Sequence, residues 1–154
     1  MREPNQGRDG PVKGEHEMGE AATSQVHPDI ELILARQLAG SLALPIVIIA
    51  PDGTVTYYNE MAERILGRRF DEAGPMARED YTPVFQFTNE SGELMPLEET
   101  PMVAALRTRR PVHMTFGMRG IDGVHHRLTG TAFPLFAAGG RFLGVAGIFY
   151  DLKS

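Results

Sequence analysis

The chain contains no cysteine. Disulfides, thiolate metal sites and covalent thiol chemistry are therefore excluded. The lack fits a cytoplasmic protein. No apolar run reaches the roughly 18 residues that a membrane-spanning helix needs. The polar N-terminus lacks the apolar segment of a secretory signal, so no membrane contact is expected. Basic blocks are also missing, and the net charge is −5. Nucleic acid is accordingly not expected as a partner. No Gly-rich stretch ends in Lys followed by Ser or Thr, which leaves no phosphate loop.

What is present suits one globular domain with a tail. The 154 residues are 42% hydrophobic and 23% charged, ordinary values for a packed core. Residues 1–26 are rich in Gly and Glu and have no aromatics. Such a segment cannot bury enough apolar surface to offset its ordering entropy, and it is expected to be disordered. Residues 27–43 read as a flanking helix, with Pro28 in the first turn and Asp29 and Glu31 at the positive end of the dipole. Ile30, Ile33, Leu34, Leu38 and Leu42 form its apolar stripe, which either covers the chain's own sheet or meets a second copy.

The most informative stretch runs from Pro45 to Gly67. Ile46 to Ile49 is a β-branched run, Pro51-Asp52-Gly53 is turn chemistry, and Thr54 to Tyr58 is a second strand-forming run. Asn59 is placed to cap a short helix. Met61, Ala62, Ile65 and Leu66 share one face of that helix, and Gly67 supplies the left-handed C-cap.

This stretch resembles the opening of a PAS domain, in which a strand passes through Asp-Gly to a second strand and then to Asn-x-x-Ala-x-x-x-hydrophobic-Gly. Here those positions are Asp52-Gly53, Asn59, Ala62, Leu66 and Gly67. The closing pair of long strands in the family matches His125 to Phe136, with Pro134 inside, and Phe142 to Asp151. The resemblance covers roughly 45–152. It implies a sensory or protein-interaction module, with a cavity between the sheet and its helices. After Asp151 the family's usual Ile-Thr is replaced by Leu152-Lys153, and the chain stops at Ser154. Two readings stand: a piece of a longer regulator, or a stand-alone module.

The rest of the chain extends the same pattern. Phe70 to Asp80 is expected to be irregular with at most a helical turn, and Val84 to Phe87 alternates like a short extended piece. Thr100 and Pro101 open a helix that runs to Thr108, with Met102, Val103, Ala105 and Leu106 on its apolar face. Val112, Met114, Phe116 and Met118 alternate with polar or small residues, the mark of a half-buried strand. Phe142 to Tyr150 is apolar on both faces: Phe142, Ala146 and Ile148 on one, Leu143, Val145 and Phe149 on the other. The expected fold is α+β. A five-stranded antiparallel sheet carries helices on one face and the N-terminal helix beside it, within a PAS-like domain at 44–152.

The family's flavin adduct and its covalently held chromophore both need a cysteine and are excluded, while non-covalent flavin stays open. Family haem ligands come from a histidine in or near the helix, and neither Thr100–Thr108 nor Phe70–Glu99 holds one. A Met102-ligated haem has nothing in the sequence to support it. His125 and His126 are adjacent in a strand and point to opposite faces, and His113 pairs near Ala132. The three cannot converge on one ion, so no metal is expected. Glu60-Glu63 and Glu98-Glu99 read as helix-entry charge, which leaves an enzyme without a nucleophile or base. A small cone-shaped α+β enzyme is the remote alternative.

Phe85, Phe87, Met102, Leu106, Met114, Phe116 and Phe133 are the candidate lining of an apolar pocket for a small apolar or aromatic molecule. The function expected is a non-enzymatic sensory or interaction module that works as a homodimer with an effector domain or partner protein. The alternative is a ligand-free dimerisation domain.

Overall fold

The computed structural model describes residues 32–38, 40–81 and 83–152. The expected disordered tail at 1–26, and Ile30 of the expected stripe, lie outside the described residues. Residues 32–38 and 40–41 are helical. Six strands follow: β1 (Ile46–Ile49), β2 (Val55–Tyr58), β3 (Gln86–Thr88), β4 (Val112–Arg119), β5 (His125–Phe136) and β6 (Phe142–Asp151). The helices are α1 (Glu60–Leu66), α2 (Phe70–Ala73), α3 (Arg78–Tyr81) and α4 (Pro101–Thr108).

The strands form one antiparallel sheet in the order β2-β1-β6-β5-β4-β3. The expected α+β architecture holds, with six strands in place of five. The extra strand is the alternating piece after Val84, which pairs with β4 through Phe87 opposite Met118. Both sheet edges are covered locally. Met76 exchanges two backbone hydrogen bonds with Val55 on β2, at 2.8 and 3.0 Å. On β3, Met95 N donates to Phe87 O at 2.8 Å. These contacts shorten the ladder that each edge leaves open.

Asn59 joins the start of the sheet to the first helix. Its Oδ1 accepts from Ala62 N at 3.1 Å, which caps α1, and also from Ile46 N at 3.0 Å. Its Nδ2 donates to Leu44 O at 2.7 Å. Gly67 ends the helix at φ 82 and donates its N–H to Glu63 O. Thr100 differs from expectation. Its backbone is extended as a cap requires, but its hydroxyl donates back to Leu97 O at 2.6 Å. The 3-10 turn Leu97–Glu99 just before it supplies that acceptor.

The two faces of the sheet carry separate apolar clusters. The inner cluster, beneath α1, α3 and α4, includes Ile49, Ile65, Tyr81, Ala105, Phe116 and Phe149. The outer cluster is Ile46, Ile48 and Ala146, with Ala35, Tyr57, Phe133, Leu135 and Ile148 packed against it. Ala35 brings the N-terminal helix onto β1 and β6. Arg36 secures it by donating to Thr56 O at 2.8 Å, with its guanidinium 5.8 Å from the Tyr57 ring centre.

The expected alternation of β6 breaks at one residue. Phe142 packs with the inner cluster, whereas Ala146 and Ile148 stay outside. Pairing passes from Leu135↔Gly144 to Phe136↔Phe142, so Leu143 is an extra residue in the strand. Gly144 lies at φ 128 and would collide with Ile49 O if it bore a Cβ. Glycine permits this bulge, and the bulge turns Phe142 to the helix side. There the Arg109 guanidinium lies 4.3 Å from the Phe142 ring centre.

Candidate functional site: an apolar cavity over the sheet

Between the inner face and the helices lies a cavity of about 100 Å³. Its floor is the sheet, through Val47, Ile49, Phe116, Met118, Leu128 and Phe149. Its walls come from α1 through Ala62 and Ile65, from α3 and its following loop through Tyr81 and Phe85, and from α4 through Met102 and Val103.

The lining offers a ligand almost nothing to hydrogen-bond. Tyr58 donates its hydroxyl to Arg68 O and Tyr81 to Gly53 O, both at 3.0 Å. The Thr100 hydroxyl is held by Leu97 O. Desolvation by burial raises the pKa of Tyr58 and of Tyr81. Carboxylates near Tyr58 act in the same direction, Glu63 first among them. Both rings therefore meet the cavity as neutral carbon surface.

The structure distributes the candidate lining residues as follows. Phe85, Phe87, Met102 and Phe116 line the cavity. Leu106 and Met114 pack against the same core without lining it. Phe133 lies on the opposite face, in the outer cluster. The parity of β5 explains this: Leu128 and Ala132 point inward, so Phe133 points outward. Tyr58, Tyr81, Ile65 and Phe149 also line the cavity. Periodicity alone marks each of them only as buried.

The histidines are spread over both faces. His113 is exposed and pairs its Nδ1 with Thr131 Oγ1 at 2.9 Å. Its backbone partner is Thr131, one residue from the expected Ala132. His126 is opposite Met118, and its Nδ1 is 2.7 Å from Asp151 Oδ2. A carboxylate only accepts, so Nδ1 carries the proton. His126 Nε2 is buried and has no hydrogen-bond partner among the described residues. This His–carboxylate pair is absent from the sequence reading. It arises because β5 and β6 pair Leu128 with Asp151, which brings the last residue of β6 diagonally beside His126. It ties the end of the central strand to its neighbour.

Volume and chemistry together narrow what the site can take. Drug-sized ligands occupy pockets of roughly 300–1,000 Å³. A dry apolar cavity of roughly 150 Å³ takes benzene or xenon. At about 100 Å³ this cavity suits one small, uncharged apolar molecule. Among the described residues no helix is long and apolar enough to cross a membrane.

Comparison with known proteins bears on the fold. Among solved structures, the chain is similar to the PAS domain of BvgS from Bordetella pertussis, with 16% identity and a TM-score of 0.54 over 80% of this chain and 87% of that one. It is similar to the PAS domain of nitrogen regulation protein NR(II) from Vibrio parahaemolyticus, with 12% identity and a TM-score of 0.54 over 77% and 98%. A light-oxygen-voltage protein of Rhodobacter sphaeroides is similar at 8% identity and a TM-score of 0.57, over 77% and 65%. No curated protein matches the chain. At these identities the structural likeness speaks for the fold alone. The family model described as the PAS fold matches residues 39–154. With its Asn59-capped opening, its six-stranded sheet and its closing Asp151, the chain belongs to the PAS family.

Proposed function

We propose that this chain is the sensory module of a signalling or transcription regulator, and that its core cavity takes a small, uncharged apolar molecule. The PAS fold is consistent with a sensory signalling role. The observation that carries the ligand reading is the cavity of about 100 Å³ whose polar neighbours are all bonded to backbone. A charged or strongly polar ligand would lose its hydration there without compensation.

Strand β6 supplies a route for the signal. Phe149 lines the cavity, while its neighbour Ile148 packs in the outer cluster with Ala35 of the N-terminal helix. A ligand that shifts the floor shifts the surface on which the helix rests. The effector domain, or a partner protein, reads the position of that helix.

A homodimer is the second element of the proposal. Of the N-terminal helix, Ala35 meets the sheet, whereas Ile33, Leu34 and Leu38 are 50%, 57% and 62% exposed. Such a stripe suits contact with a second copy, because contiguous apolar patches are uncommon on soluble monomers. The same stripe supports the alternative, a dimerisation domain without a ligand. Xenon binding separates the two readings. A site that takes xenon in the cavity favours the sensor, and a dimer blind to xenon favours the scaffold.

A further inference from the structure

The sheet floor beneath α4 contains a strip with no side chains. Gly147 on β6 and Gly130 on β5 both belong to the inner face, where Gly130 is opposite Phe149. Two side chains fill the space that these glycines leave. A Cβ at Gly147 would collide with Met102 Sδ and with the Phe149 ring. A Cβ at Gly130 would collide first with the backbone at Ile148 O and Phe149 Cα, and would come within 2.9 Å of Phe149 Cδ1. The Phe149 ring therefore reaches from Gly130 to Gly147, where the Met102 thioether lies beside it. Both side chains also line the cavity, so one side of each faces open space. The ring meets Phe116 edge-on at a centroid distance of 5.5 Å.

Resting on the reading of the cavity as a ligand site, we infer that Phe149 and Met102 form a movable plug that sets the size of ligand admitted. The cavity of about 100 Å³ is the plugged state. Withdrawal of the Phe149 ring frees a slot one aromatic ring thick, floored by glycine backbone and continuous with the cavity. The ligand class that fits the slot is a flat, uncharged aromatic ring, because it replaces the ring that left and finds the same carbon surroundings. Met102 suits a plug for a separate reason. Its unbranched side chain has three rotatable bonds and repacks at low cost. It approaches from α4, while Phe149 belongs to the floor, so the slot closes from both sides.

The test compares the full chain with its Phe149→Ala and Met102→Ala variants, using xenon and benzene as probes and calorimetric titration as the readout. The unmodified chain is expected to bind xenon and to bind benzene weakly. Each variant is expected to bind benzene at least about tenfold more tightly than the unmodified chain. If Phe149→Ala does not fold, Met102→Ala decides alone, since Met102 is only half-buried. The inference is overturned if the unmodified chain binds benzene as tightly as the variants, or if no folded variant gains benzene affinity. Failure of xenon to bind the unmodified chain, with benzene gained by the variants, leaves the plug standing and removes the proposal that the cavity is used as it is.

Discussion

Asn59 and Ile46 exchange two hydrogen bonds: Ile46 N donates to Asn59 Oδ1 at 3.0 Å, and Asn59 N donates to Ile46 O at 3.1 Å. The same Oδ1 caps α1, and Nδ2 holds Leu44 O. One buried side chain therefore fixes where the sheet begins and where the first helix begins. Asn59→Ala removes the cap and strands a buried amide. A loss of roughly 2–4 kcal/mol is expected from these two effects together. Urea denaturation measures it, and Asn59→Asp should retain part of the lost stability by keeping the acceptor. An unchanged midpoint for Asn59→Ala would show that these bonds add nothing net.

The exposed stripe of the N-terminal helix gives a second prediction. Leu34→Glu sets a charge in the proposed seam between two copies, where burial without a partner is strongly unfavourable. Light scattering should find a dimer for the unmodified chain and a monomer for Leu34→Glu, with the same circular dichroism for both. A monomeric unmodified chain would remove the dimer from the account.

A third prediction concerns alkaline pH. Burial raises the pKa of Tyr58 and Tyr81 above their ordinary value of 10.0. The folded state then holds these protons more tightly than the unfolded state. The resulting stability is fully present below pH 10 and is lost as pH rises through the folded values. Tyr81→Phe removes the Tyr81 share of that fall, and it costs about 1 kcal/mol at neutral pH for the lost bond to Gly53 O. Thermal melts from pH 8 upward check both parts. An equally steep alkaline decline in Tyr81→Phe would contradict the assignment.

Much of this architecture is legible in the sequence because its signals are local. The Asp52-Gly53 turn, the Asn59 cap, the Gly67 C-cap and the strict alternation of Val112 to Met118 each lie within a few residues. Features set by distant partners carry no such local signal. Phe142 changes face because Gly144 bulges against Ile49, and alternation alone assigns it to the other side. Thr100 finds its acceptor in a 3-10 turn rather than in the helix it precedes. Phe133 shares the composition of a lining residue but has outer parity. The His126–Asp151 pair needs the register of β5 against β6, which depends on the bulge between Leu135 and Phe136. Four of the seven candidate lining residues meet in the cavity because aromatics and Met on inner-facing positions tend to gather there.

The proposed coupling of cavity to helix is tested most directly by nuclear magnetic resonance of the full chain under increasing xenon pressure. Amide shifts are expected at Val47, Ile49 and Phe149 on the floor and at Ala35 and Arg36 of the N-terminal helix. Both sets should saturate with one dissociation constant, since one molecule moves one strand. Floor shifts without helix shifts would contradict the transmission through β6, and no saturable shift at the floor would contradict the ligand site itself.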